Sequence, residues 1–497
     1  MKKKIVLKSH YFSGLPKISA VCLMAAAFIA GTYVEQALWA MPDRVDFRQS
    51  LPWFIIFTFG TLYFNNAFDL SRRIHYLAFS VFISILFINV FMMALPFFGV
   101  LYYVQVTTLF IIVLLECLSM GVWVLFSHNY WLRCHPPVSA VLVCDDPEHG
   151  KVLAQKINHH TLNTRIDSII AYGDAALLPK IEPFKAVIIA QPSAEAKNEI
   201  VFQCWEMQKK LIVIPDIYEL IINNATLIQF DDVMAYQMKR FGLSGSQRFF
   251  KRAFDLCFSA LALILLSPLM LALAIIIKRD GGSAIFSQKR VTRGGKEFKL
   301  YKFRTMIPDA EKYTGPTLAF KDDPRITKCG KWLRQTRLDE IPQFWNVLIG
   351  DMSIVGPRPE REYFINIYKQ TLPEYQYRTN IRAGITGLAH VLGKYNTPPE
   401  ERIKLDLTYI QNYSFLLDVK IIIETVRVVL TKEYAEGVEA NAQTEAREPE
   451  DEREPAMQGA SSAPRTAHPA GKAKDETPEE NSNAKSSDMR LEHITYQ

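Results

Sequence analysis

The sequence predicts a chain of two structural classes. A bundle of four transmembrane helices is joined to a Rossmann-like α/β domain and to a second α/β domain with a re-entrant helix–break–helix. Residues 17–127 are nearly all apolar, residues 136–240 alternate apolar strands with helices, and a fifth apolar run near 251–280 contains a proline. The 497 residues are 49% hydrophobic and 22% charged, an ordinary globular average that hides this segregation. A wholly soluble protein and a pure membrane bundle are both excluded.

Four domains follow from the segregation. They are a four-helix transmembrane anchor at 1–135, a degenerate Rossmann-like domain at 136–245, a membrane-dipping α/β domain at 246–435 and a polar tail at 436–497. The tail is rich in charged residues, alanine, serine and proline, so we expect it to be disordered. Just before it, 416–430 is an apolar helix candidate that either lies on the membrane or packs against the preceding domain, and packing is favoured.

Charge and cysteine content exclude several classes of partner. The net charge of +6 is too mild to indicate a nucleic-acid partner. The seven cysteines are scattered and form no Cys-x-x-Cys pair, which indicates neither a disulfide framework nor a zinc site. A reducing, cytosol-facing protein is therefore expected.

Four apolar runs open the chain, and each approaches the ~20 residues that a helix needs to cross a membrane. The runs lie at 17–40, 51–70, 76–100 and 101–126. Lysines precede the first run, and Arg72 and Arg73 separate the second from the third, so the positive-inside rule predicts a cytosolic N-terminus. Apart from Glu35 and Glu116 the runs hold almost no ionisable residues, which favours an anchor over a transport path.

The middle domain alternates strands with helices, which is typical of a parallel sheet. We predict strands at 138–144, 167–172, 186–190 and 211–214, and helices at 147–159 and 194–209. The first turn lacks a Gly-x-Gly-x-x-Gly phosphate loop and carries Asp145, Asp146 and Glu148, which would repel a pyrophosphate. A regulatory or assembly role is favoured over nucleotide binding.

A fifth apolar run is flanked by basic pairs, Lys251–Arg252 before it and Lys278–Arg279 after it. Ser267 and Pro268 fall near its middle, where proline removes a backbone hydrogen bond. Basic residues at both ends predict that both ends face the cytosol. The run is therefore predicted to dip into one leaflet and return, with a kinked spanning helix as the alternative.

Basic residues crowd a stretch that alternates apolar and polar positions in part, at 298–304. This pattern predicts a half-buried strand whose polar face presents Lys299 and either Lys302 or Arg304. The alternative is a solvated basic strand, or a surface held to anionic lipid.

Two adjacent carboxylates, Asp339 and Glu340, precede a helix that we expect to begin at Pro342 and to end at Gly350. Two neighbouring carboxylates repel each other and call for a cation. Oxygen ligands beside phosphate favour Mg²⁺. Arg334 and Arg337 are near enough to join the site, although a solvated helix start is the simpler reading of such a pair.

Arg358 lies between Pro357 and Pro359, which fix its backbone, and a guanidinium matches phosphate bidentately. The glycine-rich turn at 383–388 can admit a close ligand or can be an ordinary loop. Together, a basic strand, a carboxylate pair and a rigid arginine loop beside a membrane-dipping helix favour phosphate chemistry with two substrates at a lipid surface.

The stretch 247–435 resembles the bacterial sugar transferases, the monotopic phosphoglycosyl transferases that move a hexose-1-phosphate from a UDP-sugar onto a polyprenyl phosphate. The matching motifs, in order, lie at 302–306, 323–327, 338–343 and 350–359. The whole layout is similar to the large, four-span undecaprenyl-phosphate hexose-1-phosphate transferases of capsule, exopolysaccharide and O-antigen lipopolysaccharide assembly. This resemblance implies a catalytic domain facing the cytosol at the bacterial inner membrane.

The resemblance also implies a mechanism. Asp339 attacks the sugar-bearing phosphate and releases UMP, and polyprenyl phosphate then attacks the phosphosugar-aspartate. Glu340 helps Asp339 to hold Mg²⁺ and takes a proton. The positions that match phosphate-binding residues are Lys302, Arg304, Arg334 and Arg358, and those placed near the nucleotide are Gly384, Thr386 and Gly387. Implied partners are the UDP-sugar, polyprenyl phosphate, inner-membrane lipid and a second copy in a homodimer.

The chain departs from the family pattern at Thr292, at Arg337 and at 389–391, where Ala-His-Val replaces the frequent Trp-Gln-Val. These departures leave the sugar undefined. A catalytically silent membrane scaffold of polysaccharide assembly is the competing hypothesis, and the intact Asp339–Glu340 pair and Arg358 speak against it.

Overall fold

The fold is taken from a computed structural model. It describes residues 14–39, 47–95, 106–160, 162–174, 176–190, 194–238, 241–307, 323–393 and 397–430. The predicted disordered tail at 436–497 lies outside these residues.

The N-terminal region is a bundle of four helices, which confirms the four predicted helices. Its helices are α1 (Leu15–Trp39), α2 (Phe47–Phe64), α3 (Ile74–Ala94) and α4 (Val106–Cys134). They pack around a shared apolar core in which the Phe28 and Phe54 rings stack with centroids 4.3 Å apart. Other apolar side chains, such as Phe110 and Phe126, point outward. Glu116 is buried inside the bundle, where it accepts a hydrogen bond of 2.6 Å from Asn89; the Glu35 side chain is outside the described part.

The second apolar run is shorter than predicted. Helices α1, α3 and α4 are long and apolar enough to cross a membrane, whereas the apolar stretch of α2, Ser50–Phe64, falls short of that length. The helix ends at Phe64 because two asparagines follow it and Asn66 adopts a positive φ of 54°. The fourth described helix of membrane-spanning length is the fifth apolar run, described below.

The middle domain contains the predicted parallel sheet, in the order β2-β1-β3-β4. Its strands are β1 (Val138–Cys144), β2 (Thr164–Ala171), β3 (Ala186–Ala190) and β4 (Lys210–Val213). Its helices are α5 (Pro147–His160), α6 (Leu177–Ile181), α7 (Ala194–Glu206) and α8 (Ile217–Ile222). The predicted strands and helices are confirmed to within a few residues, while the Rossmann-like assignment stays a prediction. An antiparallel hairpin, β5 (Thr226–Phe230) and β6 (Val233–Gln237), was missed.

The fifth apolar run forms one long helix, α9 (Gly245–Arg279), capped at its start by Ser244. The predicted interruption at Ser267 and Pro268 is wrong, because the helix continues through both residues. Proline removes one helical hydrogen bond, and the backbone on both sides of it stays helical. The Ser267 hydroxyl donates to the Ile264 carbonyl at 2.8 Å, which is the local bond expected beside such a proline.

One face of α9 packs on the C-terminal α/β domain near both ends of the helix. Lys251, Asp255 and Ser259 are buried near its start, and Leu273 and Ile277 are buried near its end. The opposite face exposes large apolar side chains, which are Phe250, Leu261, Ile264, Leu265, Leu271 and Ile275. The helix is therefore packed on protein on one side and unpartnered on the other.

The C-terminal domain contains two apolar clusters, of which the larger lies around Val347 and Val355. Its strands are β7 (Ile285–Val291), β8 (Glu297–Phe303), β9 (Ser353–Val355) and β10 (Gly384–Thr386). Strands β7 and β8 pair antiparallel, and β9 and β10 pair parallel. Its helices are α10 (Lys328–Gln335), α11 (Gln343–Ile349), α12 (Glu362–Thr371), α13 (Leu388–Leu392), α14 (Pro399–Gln411) and α15 (Phe415–Leu430). Helix α15 packs on the larger cluster, as predicted, with Ile421 buried.

Candidate active site

The carboxylate pair lies where the sequence predicts it, just ahead of a helix. Leu338–Glu340 form one 3₁₀ turn that leads through Pro342 into α11, and Gly350 ends the helix with a φ of 97°. Asp339 is 8% exposed. The pair is therefore part of the packed interior, and the alternative of a solvated helix start is wrong.

Two cations hold Glu340. Its Oε1 accepts a hydrogen bond of 2.8 Å from Lys302 Nζ and lies 3.5 Å from Arg358 Nη2. Burial alone would raise the pKa of Glu340, but the positive charges of Lys302 and Arg358 outweigh it and keep this pKa well below its usual range. Glu340 is therefore anionic at neutral pH.

Lys302 reaches the pair because of its position on β8. The buried side chains of Phe298 and Leu300 share its face of the strand, whereas Lys299 is exposed on the other face. The prediction that one polar face presents Lys299 with either Lys302 or Arg304 is therefore wrong for Lys302, which faces inward and has its charge paired. Arg304 follows the strand and donates to the Ile277 carbonyl at 3.0 Å, so it contacts the last turns of α9.

Asp339 is less well satisfied than its neighbour. Its Oδ1 is buried and has no hydrogen-bond partner among the residues that the structure describes. Burial and the negative charge of Glu340 raise the pKa of Asp339, and the charges of Lys302, Arg337 and Arg334 only partly oppose this. One oxygen of Asp339 therefore lacks a hydrogen-bond donor among the described residues, and nearby cations can neutralise an incoming anion.

Backbone strain lies directly before the pair. Arg337 has a φ of 57°, in the left-handed region that a non-glycine residue adopts at a cost of roughly 1–3 kcal/mol. Arg334 is held in place from α10 by a 2.9 Å hydrogen bond from its Nε to the Thr305 hydroxyl. Two of the predicted arginines therefore approach Asp339 from the segment that precedes it.

The Arg358 loop rests on the glycine turn. Gly356 N donates to the Thr386 carbonyl at 2.8 Å, and Gly384 N donates to the Pro357 carbonyl at 2.9 Å. A Cβ atom at Gly384 would overlap the backbone nitrogen of Gly356, so glycine is required for this close approach. The turn that was predicted to lie near the nucleotide therefore also carries the arginine loop.

Sequence reasoning missed two residues that hold Arg358. Arg378 donates from Nη2 to the Arg358 carbonyl at 2.9 Å and pairs with Asp406 at 2.9 Å. His390 Nε2 lies 3.0 Å from Arg358 Nη1. No local pattern could have found either contact, although the departure from the family motif at position 390 pointed to that residue.

These features define a class of protein. A long helix with one unpartnered apolar face adjoins a buried carboxylate pair ringed by lysine and arginine, and this combination fits a membrane-associated enzyme of phosphate chemistry. A family described as Bacterial sugar transferase matches residues 246–432.

Individual relatives extend the match. The chain is 30% identical over 398 residues to the UDP-glucose:undecaprenyl-phosphate glucose-1-phosphate transferase of Escherichia coli K12, covering 75% of this chain and 78% of that protein. It is 44% identical over 187 residues to the UDP-N-acetylgalactosamine-undecaprenyl-phosphate N-acetylgalactosaminephosphotransferase of Aeromonas hydrophila, covering 37% and 44%. It is 36% identical over 247 residues to the undecaprenyl-phosphate galactose phosphotransferase of Salmonella typhimurium, covering 46% and 50%. The chain belongs to the bacterial sugar transferase family.

Proposed function

We propose that this protein transfers a hexose-1-phosphate from a UDP-sugar to undecaprenyl phosphate and releases UMP, the first step of a surface polysaccharide. The observation that carries the proposal is the buried Asp339 carboxylate, whose Oδ1 has no partner among the described residues, next to Glu340, which Lys302 and Arg358 contact. The names of the relatives supply the substrate class.

The side chains divide the chemistry between them. An Asp339 oxygen attacks the sugar-bearing phosphorus, and the bond from that phosphorus to the bridging oxygen breaks so that UMP leaves with the electron pair. An oxygen of undecaprenyl phosphate then attacks the same phosphorus, which frees Asp339 and leaves a diphosphate-linked lipid. Covalent catalysis divides one difficult transfer into two easier steps. Lys302 and Arg358 neutralise the charge that develops on the phosphoryl oxygens.

The site residues fit a magnesium ion. Mg²⁺ is usually bound by one or two carboxylates together with substrate phosphate oxygens and water, rather than by a cage of protein ligands. The described residues hold no cluster of three or more potential metal ligands, while the carboxyl groups of Asp339 and Glu340 are adjacent and Asp339 Oδ1 is unpartnered. When bound, the ion would supply further charge neutralisation at the phosphoryl group.

The packing of α9 supports a position within one leaflet, without a crossing of the bilayer. Lys251 near its start bonds Asp418 of α15 at 2.6 Å, and Ile277 near its end packs in a cluster with Phe303 and Leu333. Because the same polar domain contacts both ends, a helix perpendicular to the bilayer would draw that domain into the hydrocarbon layer. The apolar face is left for lipid.

The loop between α2 and α3 supports a cytosolic active site. Arg427 of α15 lies over the Tyr76 ring at 4.7 Å, and Arg72 lies 4.0 Å from Glu424. The loop therefore lies on the same side as the C-terminal domain, and its two arginines favour the cytosolic side of the inner membrane. The homodimer and the regulatory or assembly role of the middle domain stay predictions.

The test is a panel of UDP-sugars given to the purified full chain with undecaprenyl phosphate and Mg²⁺, with UMP release as the measurement. We expect UMP with at least one UDP-hexose, a matching sugar diphosphate lipid, and loss of both in EDTA. The panel includes glucose, galactose and N-acetylgalactosamine, which the names of the relatives contain. If no UDP-hexose yields UMP, the silent-scaffold alternative holds instead.

A further inference from the structure

The Arg358 guanidinium is held on two edges by two different groups. Nη2 lies 3.5 Å from Glu340 Oε1, which is long for a hydrogen bond, while Nη1 lies 3.0 Å from His390 Nε2. A guanidinium has donors and no acceptor, so His390 Nε2 accepts and the imidazole is neutral, with its proton on Nδ1. The shorter contact is the one to histidine.

The surroundings keep His390 in this state. Burial, together with the positive charge of Arg358, lowers the pKa of His390 well below its usual value. Its Nδ1 has no partner among the described residues, so the bond to Arg358 is the side-chain hydrogen bond that orients the ring. A protonated ring would place two cations in contact and would lose the acceptor.

The backbone fixes His390 to the loop that it supports. Its N–H donates to the Gly387 carbonyl at 3.0 Å at the start of α13. A Cβ at Gly387 would overlap the carbonyl oxygen of Gly356, so this turn and the Arg358 loop pack backbone against backbone. The His390 ring and the Arg358 guanidinium therefore extend from two backbone segments that pack directly against each other.

We propose that His390 is a positioning residue that fixes Nη1 of Arg358, so that Nη2 can exchange its long contact with Glu340 for an oxygen of the sugar-bearing phosphate. This inference rests on the proposed function. It explains how Arg358 can change partners without losing its orientation, since the histidine contact persists while the carboxylate contact is replaced.

The test compares two replacements of His390 in the full chain, each measured for UMP release with Mg²⁺ and a UDP-hexose. His390→Leu removes the acceptor, and we expect kcat/KM to fall at least tenfold. His390→Gln keeps an acceptor oxygen, and we expect it to retain kcat/KM within about threefold. The melting temperatures should differ little, and if His390→Leu does not fold, His390→Met replaces it.

A double variant separates positioning from general damage. On an Arg358→Gln background, His390→Leu should cause no further loss, because no guanidinium is left to orient. An equal loss on both backgrounds, or wild-type kcat/KM in His390→Leu, would overturn the proposal. UMP affinity is measured for the same variants. If the wild type binds UMP but releases none from any UDP-hexose, the proposed function fails. The UMP affinities of the variants then still test whether His390 acts through Arg358.

Discussion

The C-terminal domain buries two clusters that each join a lysine to carboxylates, and they differ in how completely the polar atoms are paired. In the first, Lys251 Nζ bonds Asp418 Oδ2 at 2.6 Å, and the Tyr409 hydroxyl donates to Asp418 Oδ1 at 2.7 Å. In the second, Lys302 bonds Glu340, and Asp339 Oδ1 has no partner among the described residues.

The difference separates stability from reactivity. A buried carboxylate whose two oxygens are both bonded contributes to the fold, and removal of its partner leaves an uncompensated charge that destabilises by about 3–5 kcal/mol. A buried carboxylate with an orphaned oxygen gains less from its surroundings and stays available to react. The same residue types therefore form a structural link between α9 and α15 in the first cluster, and they supply a candidate nucleophile in the second.

The largest expected effect is that of Asp339→Asn. We expect turnover to fall by at least about 10³-fold, because the amide is not a nucleophile toward phosphorus. The melting temperature in detergent should stay within a few degrees, since Oδ1 has no hydrogen bond to lose. UMP release and thermal unfolding measure the two effects on one preparation. Turnover above one hundredth of the wild-type rate would mean that another group attacks, and a large drop in melting temperature would contradict the comparison.

The opposite outcome is expected from Asp418→Asn. Lys251 would then keep its charge in a buried site without the carboxylate that it bonds, and the free energy of unfolding should fall by about 3–5 kcal/mol. Activity per folded molecule should change little. Denaturant unfolding measures the loss, and the double replacement Lys251→Met with Asp418→Leu is the control that should recover much of it. A variant that stays as stable as wild type would show that the pair adds nothing to the fold.

Much of the fold could be predicted because it depends on local pattern. The strands of the middle domain follow apolar runs, and Gly350 ends α11 as its position predicts. The continuity of α9 through Pro268 could not be predicted, because a proline inside an apolar run is compatible with either a broken or a continuous helix. The early end of α2 at Phe64 depends on two asparagines inside an otherwise apolar run.

The candidate site was predictable only in part. Prolines around Arg358 and the adjacent carboxylates Asp339 and Glu340 are visible in sequence. The prediction groups Lys302 with Lys299 by charge, although strict alternation puts the two on opposite faces of the strand. The charge of Lys302 is paired by a carboxylate 38 residues away rather than by water. His390 contacts Arg358 across 32 residues, and no local pattern encodes such a contact.

A smaller effect is expected from the glycine turn that packs against the Arg358 loop. In Gly384→Ala the new Cβ would overlap the Gly356 nitrogen, so the Arg358 loop must shift. We expect kcat/KM to fall by about tenfold to a hundredfold, since a displacement near 1 Å can cost about that much. Gly173→Ala in the middle domain is the matched control, because nothing lies within 4 Å of its Cβ. Equal rates in the two variants would show that the glycine turn does not position Arg358.

The smallest effect concerns pH, and it tests the electrostatic side of the comparison. Burial and the charge of Glu340 raise the pKa of Asp339, so its reactive anion is lost as pH falls through this raised value. The acid limb of kcat/KM should therefore have its midpoint above the ordinary aspartate value of about 3.9. Near neutral pH the expected loss is less than tenfold per pH unit.

Replacing one cation gives the sign of this shift. The charge of Lys302 lowers the pKa of Asp339, so Lys302→Gln should move the acid limb to higher pH in addition to slowing turnover. Lys299→Gln removes the same charge from the exposed face of β8 and should leave the midpoint unchanged. Both profiles are recorded at saturating Mg²⁺, so that only the lysine differs. The acid limb could instead move to lower pH in Lys302→Gln, or move equally in both variants. Either result would mean that the titrating group is not the carboxyl beside Lys302. The contrast between the two clusters would then lose its electrostatic basis.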